Sequence, residues 1–198
     1  MTNNLLLKRT IITILAILMS ICFVSCGNEP DTSSDQSETK GSVGSENLSL
    51  DSFSLTDING EKVTPEIFKK NKLTLVNVLS VSCGPCMEEL PHLAELADEY
   101  KEKGVGFLGI STDIDPDGAP DKSTAEDFQK ILKDSSDNIN VVYTDQDLMI
   151  KIFSETDAIP YTFFVDQNGT VVGKSYTGSH DKDEWKEIIE KELENASV

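Results

Sequence analysis

The sequence predicts an α/β fold in which a mixed β-sheet is packed between helices. A near-continuous apolar run, Leu73–Leu79, has the composition of a central strand that is buried on both faces. An apolar stripe at helical spacing follows over residues 86–103. Near the end of the chain, strand patterns at 161–165 and 170–176 flank an Asp-Gln-Asn-Gly turn and precede a last helix at 181–195. Strands that alternate with helices and end in an antiparallel hairpin indicate a mixed sheet.

The other predicted elements are shorter. Apolar residues alternate before an Asn59-Gly60 turn and the chain returns at Val63, which predicts a small N-terminal β-hairpin. Ser123 and Glu126 form a capping-box pattern, which predicts a helix that runs to about residue 133. The remaining patterns predict strands at 105–111 and 140–144 and a short helix at 148–153.

The amino terminus has the pattern of an export signal over residues 1–25. Lys8 and Arg9 precede an apolar stretch, 11–24, that is too short to span a bilayer comfortably. The run Phe23-Val24-Ser25-Cys26 resembles a bacterial lipobox, and this resemblance implies that Cys26 is lipidated and anchors the protein to the membrane. An uncleaved anchor or an ordinary secretory signal is the alternative.

A polar segment separates the signal from the rest of the chain. Residues 26–49 are rich in Ser, Thr, Asp, Glu, Asn and Gly and contain few apolar side chains, so we expect a flexible tether. Residues 50–198 are long enough for one domain with its own core.

The charge balance excludes some classes of function. The chain has a formal net charge of -18, and a surface this acidic repels phosphates, which excludes a nucleic-acid partner. Arg9 is the only arginine, so activities that depend on a bidentate arginine clamp are disfavoured.

The sequence Cys83-Gly84-Pro85-Cys86 is the strongest candidate for chemistry. A helix that starts here brings the two cysteines within bonding range, and its N-terminus favours a thiolate. We expect Cys83 to be the exposed attacking thiol and Cys86, which the first turn covers, to be the resolving thiol. Pro85 presets the first helical turn, and Gly84 lets the backbone of a partner approach closely.

Two other interpretations of this motif are weaker. A structural disulfide that closes so short a loop gains little chain entropy. A metal site normally needs three or four protein ligands, and beyond the motif the candidates are Cys26, His92 and His180. We therefore expect neither a metal nor another cofactor.

The arrangement of these features resembles a known family. A strand, Cys-Gly-Pro-Cys, a helix that contains Pro91, Ile159-Pro160 before a hairpin, and a last helix together resemble the thioredoxin fold. With the lipobox-like run, Glu89 and an extra strand and helix between residues 105 and 144, the chain is similar to exported TlpA/ResA-type thiol-disulfide oxidoreductases over about residues 50–193. The resemblance implies a three-layer fold with an N-terminal hairpin and a central strand-helix insertion.

The resemblance also implies roles for single residues. Pro160 would be a cis-proline that faces the disulfide, although from the sequence alone it could equally be trans. Ile159 would offer backbone groups to a bound substrate strand. Glu89 would tune the thiols and move protons, and a solvated position on the helix is the alternative.

The implied partners are disulfide-containing protein substrates and a membrane thiol-disulfide electron donor. The Gly-Pro pair between the cysteines matches that of reducing thioredoxins, which favours reduction.

Two further functions are considered. Ser80 through Cys83 gives a Ser-x-x-Cys pattern similar to that of peroxiredoxin-type thiol peroxidases, but the missing arginine argues against a peroxidase. A copper carrier could use Cys83, Cys86 and His92, but His92 follows Cys86 by six positions and is turned away from the sulfur. His180 precedes the last helix, and we expect it on the surface.

Overall fold

A computed structural model describes residues 48–133 and 138–196, together with the backbone of Ser42–Val43. The predicted export signal, Cys26 and most of the expected tether lie outside the described residues. Leu48 is buried, so the packed region extends upstream of residue 50. Within the ranges described, no helix combines the length and apolar character that crossing a membrane requires.

In the described residues, eight strands form one sheet. The strands are β1 (Ser42–Val43), β2 (Leu55–Asp57), β3 (Lys62–Val63), β4 (Leu73–Leu79), β5 (Val105–Ser111), β6 (Ile139–Tyr143), β7 (Tyr161–Val165) and β8 (Val171–Thr177). Their order across the sheet is β1-β8-β7-β4-β5-β6-β2-β3. Strands β4, β5 and β6 are parallel, and each of the other neighbouring pairs is antiparallel. The mixed sheet and the N-terminal hairpin are confirmed.

Helices cover both faces of the sheet, which gives the expected three layers. The four α-helices in the described part of the chain are α1 (Gly84–Tyr100), α2 (Ala125–Leu132), α3 (Gln146–Phe153) and α4 (Lys182–Ala196). One core contains buried residues of α1, α2 and α4, and the other contains those of α3 and a 3-10 turn at Pro65–Lys70.

The central strand decides which side chains meet helix α1. All seven residues of β4 are buried, because β5 and β7 pair with it and helices cover both of its faces. Successive side chains of a strand point to opposite faces, so Asn77 lies on the same face as Leu75 and Leu79, which pack in the core of α1. A polar side chain is therefore placed within the apolar layer beneath α1.

The prediction of the cap of α2 is wrong. The N-cap residue of α2 is Thr124, which makes no side-chain cap hydrogen bond, and the Asp121 side chain instead accepts the amide of Ser123 and starts a 3-10 turn, Lys122–Thr124, that leads into the helix. The Asp121 carboxylate, two residues upstream, accepts hydrogen bonds from both the amide and the hydroxyl of Ser123. The Ser123 side chain is therefore bonded to Asp121 and does not cap the helix.

Candidate active site

The two cysteines of the motif form a disulfide at the start of α1. Cys83 is the N-cap residue, and its extended backbone and the Pro85 ring set the direction in which the helix leaves. The Cys83 Sγ accepts the amide of Cys86 at 3.3 Å, and the two Cα atoms are 5.3 Å apart. Cys83 is half-buried, whereas only 1% of Cys86 is exposed. An incoming partner can therefore reach the sulfur of Cys83 more readily than that of Cys86.

The loop before β7 lies against the exposed sulfur. The Ile159–Pro160 peptide bond is cis, and the carbonyl oxygen of Ile159 is 3.8 Å from the Cys83 Sγ. Gly84 and Pro85 are exposed beside the same sulfur, at the start of α1. The fold thus brings together residues that are about 75 positions apart in the sequence.

A carboxylate holds the segment that leads into the motif. Asp113 accepts hydrogen bonds from the Ser80 hydroxyl at 2.6 Å, the Val81 amide at 3.0 Å and the Ser111 hydroxyl at 2.7 Å. The amide of Cys83 in turn donates to the Ser80 carbonyl at 3.1 Å. Because the Ser80 hydroxyl gives its one donor proton to Asp113, it has no second proton to donate to a bound molecule.

Glu89 lies buried on α1, one turn beyond Cys86, with 2% of its surface exposed. Its Oε1 accepts the Trp185 indole N–H at 2.7 Å and the His180 amide at 2.8 Å. Its Oε2 accepts the Asn77 side-chain amide at 3.1 Å, and that amide also donates to the Thr162 hydroxyl at 2.8 Å. The alternative of a solvated Glu89 does not hold.

The surroundings of Glu89 change its affinity for a proton. Burial raises the pKa of the Glu89 carboxyl from 4.5 to about 7, because the charged form loses its hydration. The hydrogen bonds from His180, Trp185 and Asn77 favour the ionised form and limit that rise in pKa. A carboxyl with a pKa near neutrality can both take and return a proton at physiological pH.

Comparison with known proteins agrees with this arrangement. The family model described as Redoxin matches residues 45–189. The chain belongs to the redoxin family. It is 27% identical over 154 residues to the thiol-disulfide oxidoreductase ResA of Bacillus thuringiensis subsp. konkukian, which covers 78% of this chain and 80% of that protein. The ResA of Geobacillus kaustophilus is 29% identical over 143 residues, or 72% of this chain and 73% of that protein.

A solved structure supports the fold. The thiol:disulfide interchange protein of the thioredoxin family from Chlorobium tepidum superposes with a TM-score of 0.59 at 20% identity, over 75% of this chain and 98% of that one. This redoxin is thus a thioredoxin-fold protein of the TlpA/ResA type and a thiol-disulfide oxidoreductase.

The prediction that His180 is a surface residue is wrong. Only 11% of its side chain is exposed, and its ring packs edge-on against Trp185, with ring centroids 5.0 Å apart, and against Tyr176, at 6.1 Å. Its Nδ1 lies 3.4 Å from the exposed Glu184 carboxylate. The backbone bond from His180 to Glu89 draws this loop inward, which a single polar stretch of sequence does not reveal.

The structure adds residues to the site that the sequence analysis did not assign to it. Trp185 lies on the last helix, and Asn77 and Thr162 lie within apolar strands. A polar residue in a strand that is buried on both faces is a usable signal, since such a group needs a partner. In the part of the chain that the structure describes, no group of three or more His, Cys, Asp or Glu side chains is placed to hold a metal ion.

Proposed function

We propose that this oxidoreductase works outside the cytoplasm, anchored to a bacterial membrane through Cys26, and reduces disulfides of partner proteins with the Cys83/Cys86 dithiol. The observation that carries the proposal is the asymmetry of the pair. The Cys83 sulfur is accessible at a helix N-terminus beside a cis-proline, and the Cys86 sulfur is covered behind it. This asymmetry suits one thiol for attack and the other for release.

The reduction then proceeds in two exchanges. The Cys83 thiolate attacks one sulfur of the partner disulfide, a mixed disulfide forms, and the partner's other sulfur leaves as a thiolate that takes a proton. Cys86 loses its proton and attacks the Cys83 sulfur, which releases the second partner thiolate. The partner gains two electrons and two protons, and the enzyme is left with the Cys83–Cys86 disulfide. A membrane thiol-disulfide donor restores the dithiol.

The neighbouring residues have roles in the same sequence. We assign Glu89 to accept the proton of Cys86, because it lies one turn further along the same helix. Its carboxyl has a pKa of about 7, so it can take up and release a proton near neutral pH. Ile159 would pair with the backbone of a bound substrate strand beside the Pro160 ring, and Gly84 and Pro85 would leave room on the opposite side of the sulfur.

Trapping tests the assignment of the two thiols. A Cys86→Ser variant of the full-length protein should accumulate a mixed disulfide on Cys83 with a model substrate such as insulin, because the second exchange cannot occur. The matched Cys83→Ser variant should trap far less and reduce nothing. Equal trapping by the two variants would contradict the assignment.

Fractionation tests the location. Cys26→Ala should release the protein from membranes or block its maturation, because the thiol that would carry the lipid is absent. Unchanged fractionation and gel mobility would argue against lipidation, and would leave the dithiol chemistry untouched.

A further inference from the structure

The hydrogen bonds that hold Glu89 come from two places. Asn77 reaches it from β4, where it is the register neighbour of Thr162 on β7. The other two donors, the His180 amide and the Trp185 indole, converge on a single oxygen, Oε1, from the segment between β8 and the first turn of α4. One carboxylate oxygen is therefore fixed entirely by a segment about 90 residues away in the chain.

That segment is itself anchored at both ends. The Gly178 amide donates to the Pro160 carbonyl at 2.9 Å, which ties the segment to the cis-proline loop. The Asp181 carboxylate accepts the amide of Glu184 at 2.9 Å, and the Asp181 carbonyl accepts that of Trp185 at 3.0 Å. The first turn of α4 is therefore held in place before Trp185 projects into the core.

The indole has little freedom to turn. Trp185 is fully buried, and its ring makes edge-to-face contacts with Tyr176, at a centroid distance of 6.0 Å, and with His180, at 5.0 Å. Edge-to-face contacts of this kind favour one ring orientation. The N–H is thus aimed at Glu89 before any reaction occurs.

We propose that Trp185 is a positioning residue, which together with the His180 amide holds the Glu89 carboxylate ready to receive the proton of Cys86. This inference rests on the proposed function, since it deepens the role assigned there to Glu89. The indole N–H favours the ionised carboxylate, against the burial that disfavours it. Without this donor, Glu89 would hold its proton more tightly and would accept the proton of Cys86 less readily.

Other titratable groups near Glu89 must be kept unchanged in any test. On its own helix these are Cys83, Cys86 and His92, and from α4 and the preceding loop they are His180 and Glu184. From β4 it meets the uncharged side-chain amide of Asn77, which also donates to the Thr162 hydroxyl on β7.

Trp185→Phe in the full-length protein removes the N–H and keeps an aromatic ring. We expect the midpoint of the Glu89 titration, followed as the infrared C=O band that Glu89→Gln abolishes, to rise by about one pH unit, equivalent to about 1.4 kcal/mol. Reductase activity should fall about tenfold at pH 6 and recover towards the parental value at pH 9, because alkali ionises Glu89 in either protein. A purely structural defect would lower activity at every pH.

Tyr176→Phe is the matched control. It removes an O–H that donates at 2.8 Å to Glu192, another buried glutamate of α4, and it keeps the ring that packs against Trp185. It should lower stability but leave the infrared midpoint and the pH profile of activity in place. An unchanged midpoint in a folded Trp185→Phe protein, or an equal change in both variants, overturns the proposal.

A second measurement needs no change at Trp185. It is the only tryptophan of the chain, so its indole N–H gives a single proton resonance. That resonance should titrate with a midpoint near 7 in the parent protein and stay constant in Glu89→Gln; a resonance that does not respond to pH in the parent overturns the proposal. Loss of reductase activity in Cys83→Ser tests the proposed function separately, so the two failures can be told apart.

Discussion

Replacing Glu89 with Gln should change how the stability of the oxidised protein depends on pH. Glu89 has an ordinary pKa of 4.5 and a pKa of about 7 in the folded protein, where burial disfavours its charge. Between these two values the folded state holds a proton that the unfolded state has released, so the stability of the parent falls as the pH rises. Below about pH 4.5 and above about pH 7, the protonation of Glu89 adds no further dependence of stability on pH.

The size of the effect follows from the same two values. One pH unit corresponds to about 1.4 kcal/mol per proton, so the span from 4.5 to about 7 amounts to about 3 kcal/mol. Gln cannot ionise, and Glu89→Gln should therefore gain about 3 kcal/mol relative to the parent between pH 4.5 and pH 8. Any constant offset from altered hydrogen bonds to Asn77, His180 or Trp185 cancels when only the change with pH is compared.

Urea unfolding of both proteins with the disulfide intact, at intervals of half a pH unit, measures this difference. Glu88→Gln is the matched control, because it makes the same change in charge at an exposed position of the same helix turn. Its difference from the parent should stay nearly flat, since water and salt screen exposed charges. Parallel curves for the parent and Glu89→Gln would show that the buried carboxylate is not the group that takes up the proton.

Three further outcomes are expected. With Cys86→Ala, the remaining Cys83 should react faster with iodoacetamide than Cys86 does in Cys83→Ala, because Cys83 is half-exposed at a helix N-terminus and Cys86 is buried; equal rates would contradict this. Gly173→Ala should lower the free energy of unfolding by about 1–3 kcal/mol, since φ is +69° and a Cβ would overlap the Glu192 carboxylate; unchanged urea unfolding would exclude this. Asp113→Ala should destabilise the protein by about 1–3 kcal/mol, because the Val81 amide loses its partner, and thermal unfolding beside an Asp115→Ala control measures it.

The strong patterns of the sequence were sufficient for most of the architecture. The strand Leu73–Leu79 is buried along its whole length as its composition predicts, and the helix after Cys83 follows from the proline and the apolar stripe. Such elements could be predicted because periodicity and turn residues act over a few positions. The start of the turn that leads into α2 could not be predicted in this way. Ser123 and Asp121 are both residue types that cap helices well, and the sequence alone does not show which of them provides the cap.

The candidate site depends on contacts between distant parts of the chain. The motif itself identifies Cys83 and Cys86, but whether Glu89 is solvated or buried depends on Trp185, which is 96 positions away. His180 lies 91 positions from Glu89, and local patterns place it on the surface although its amide donates to the Glu89 carboxylate. Local patterns therefore predict the sulfur chemistry, whereas the protonation of its surroundings requires the tertiary structure.

The ends of the sheet have a consequence for the association of one copy with another. An uncovered strand offers a row of unpaired amides and carbonyls, which other chains can join, and very short edge strands reduce that risk. In the described residues both outer strands, β1 and β3, contain two residues each, and β1 lies along the seven-residue β8 at Ser175 and Lys174. The backbone at Ser42–Val43 thus shields the strand that carries the chain to His180 and Trp185. A chain cut back to residue 48 would lose the pairing at Lys174 and Ser175, so a longer stretch of β8 would be open to β-sheet aggregation.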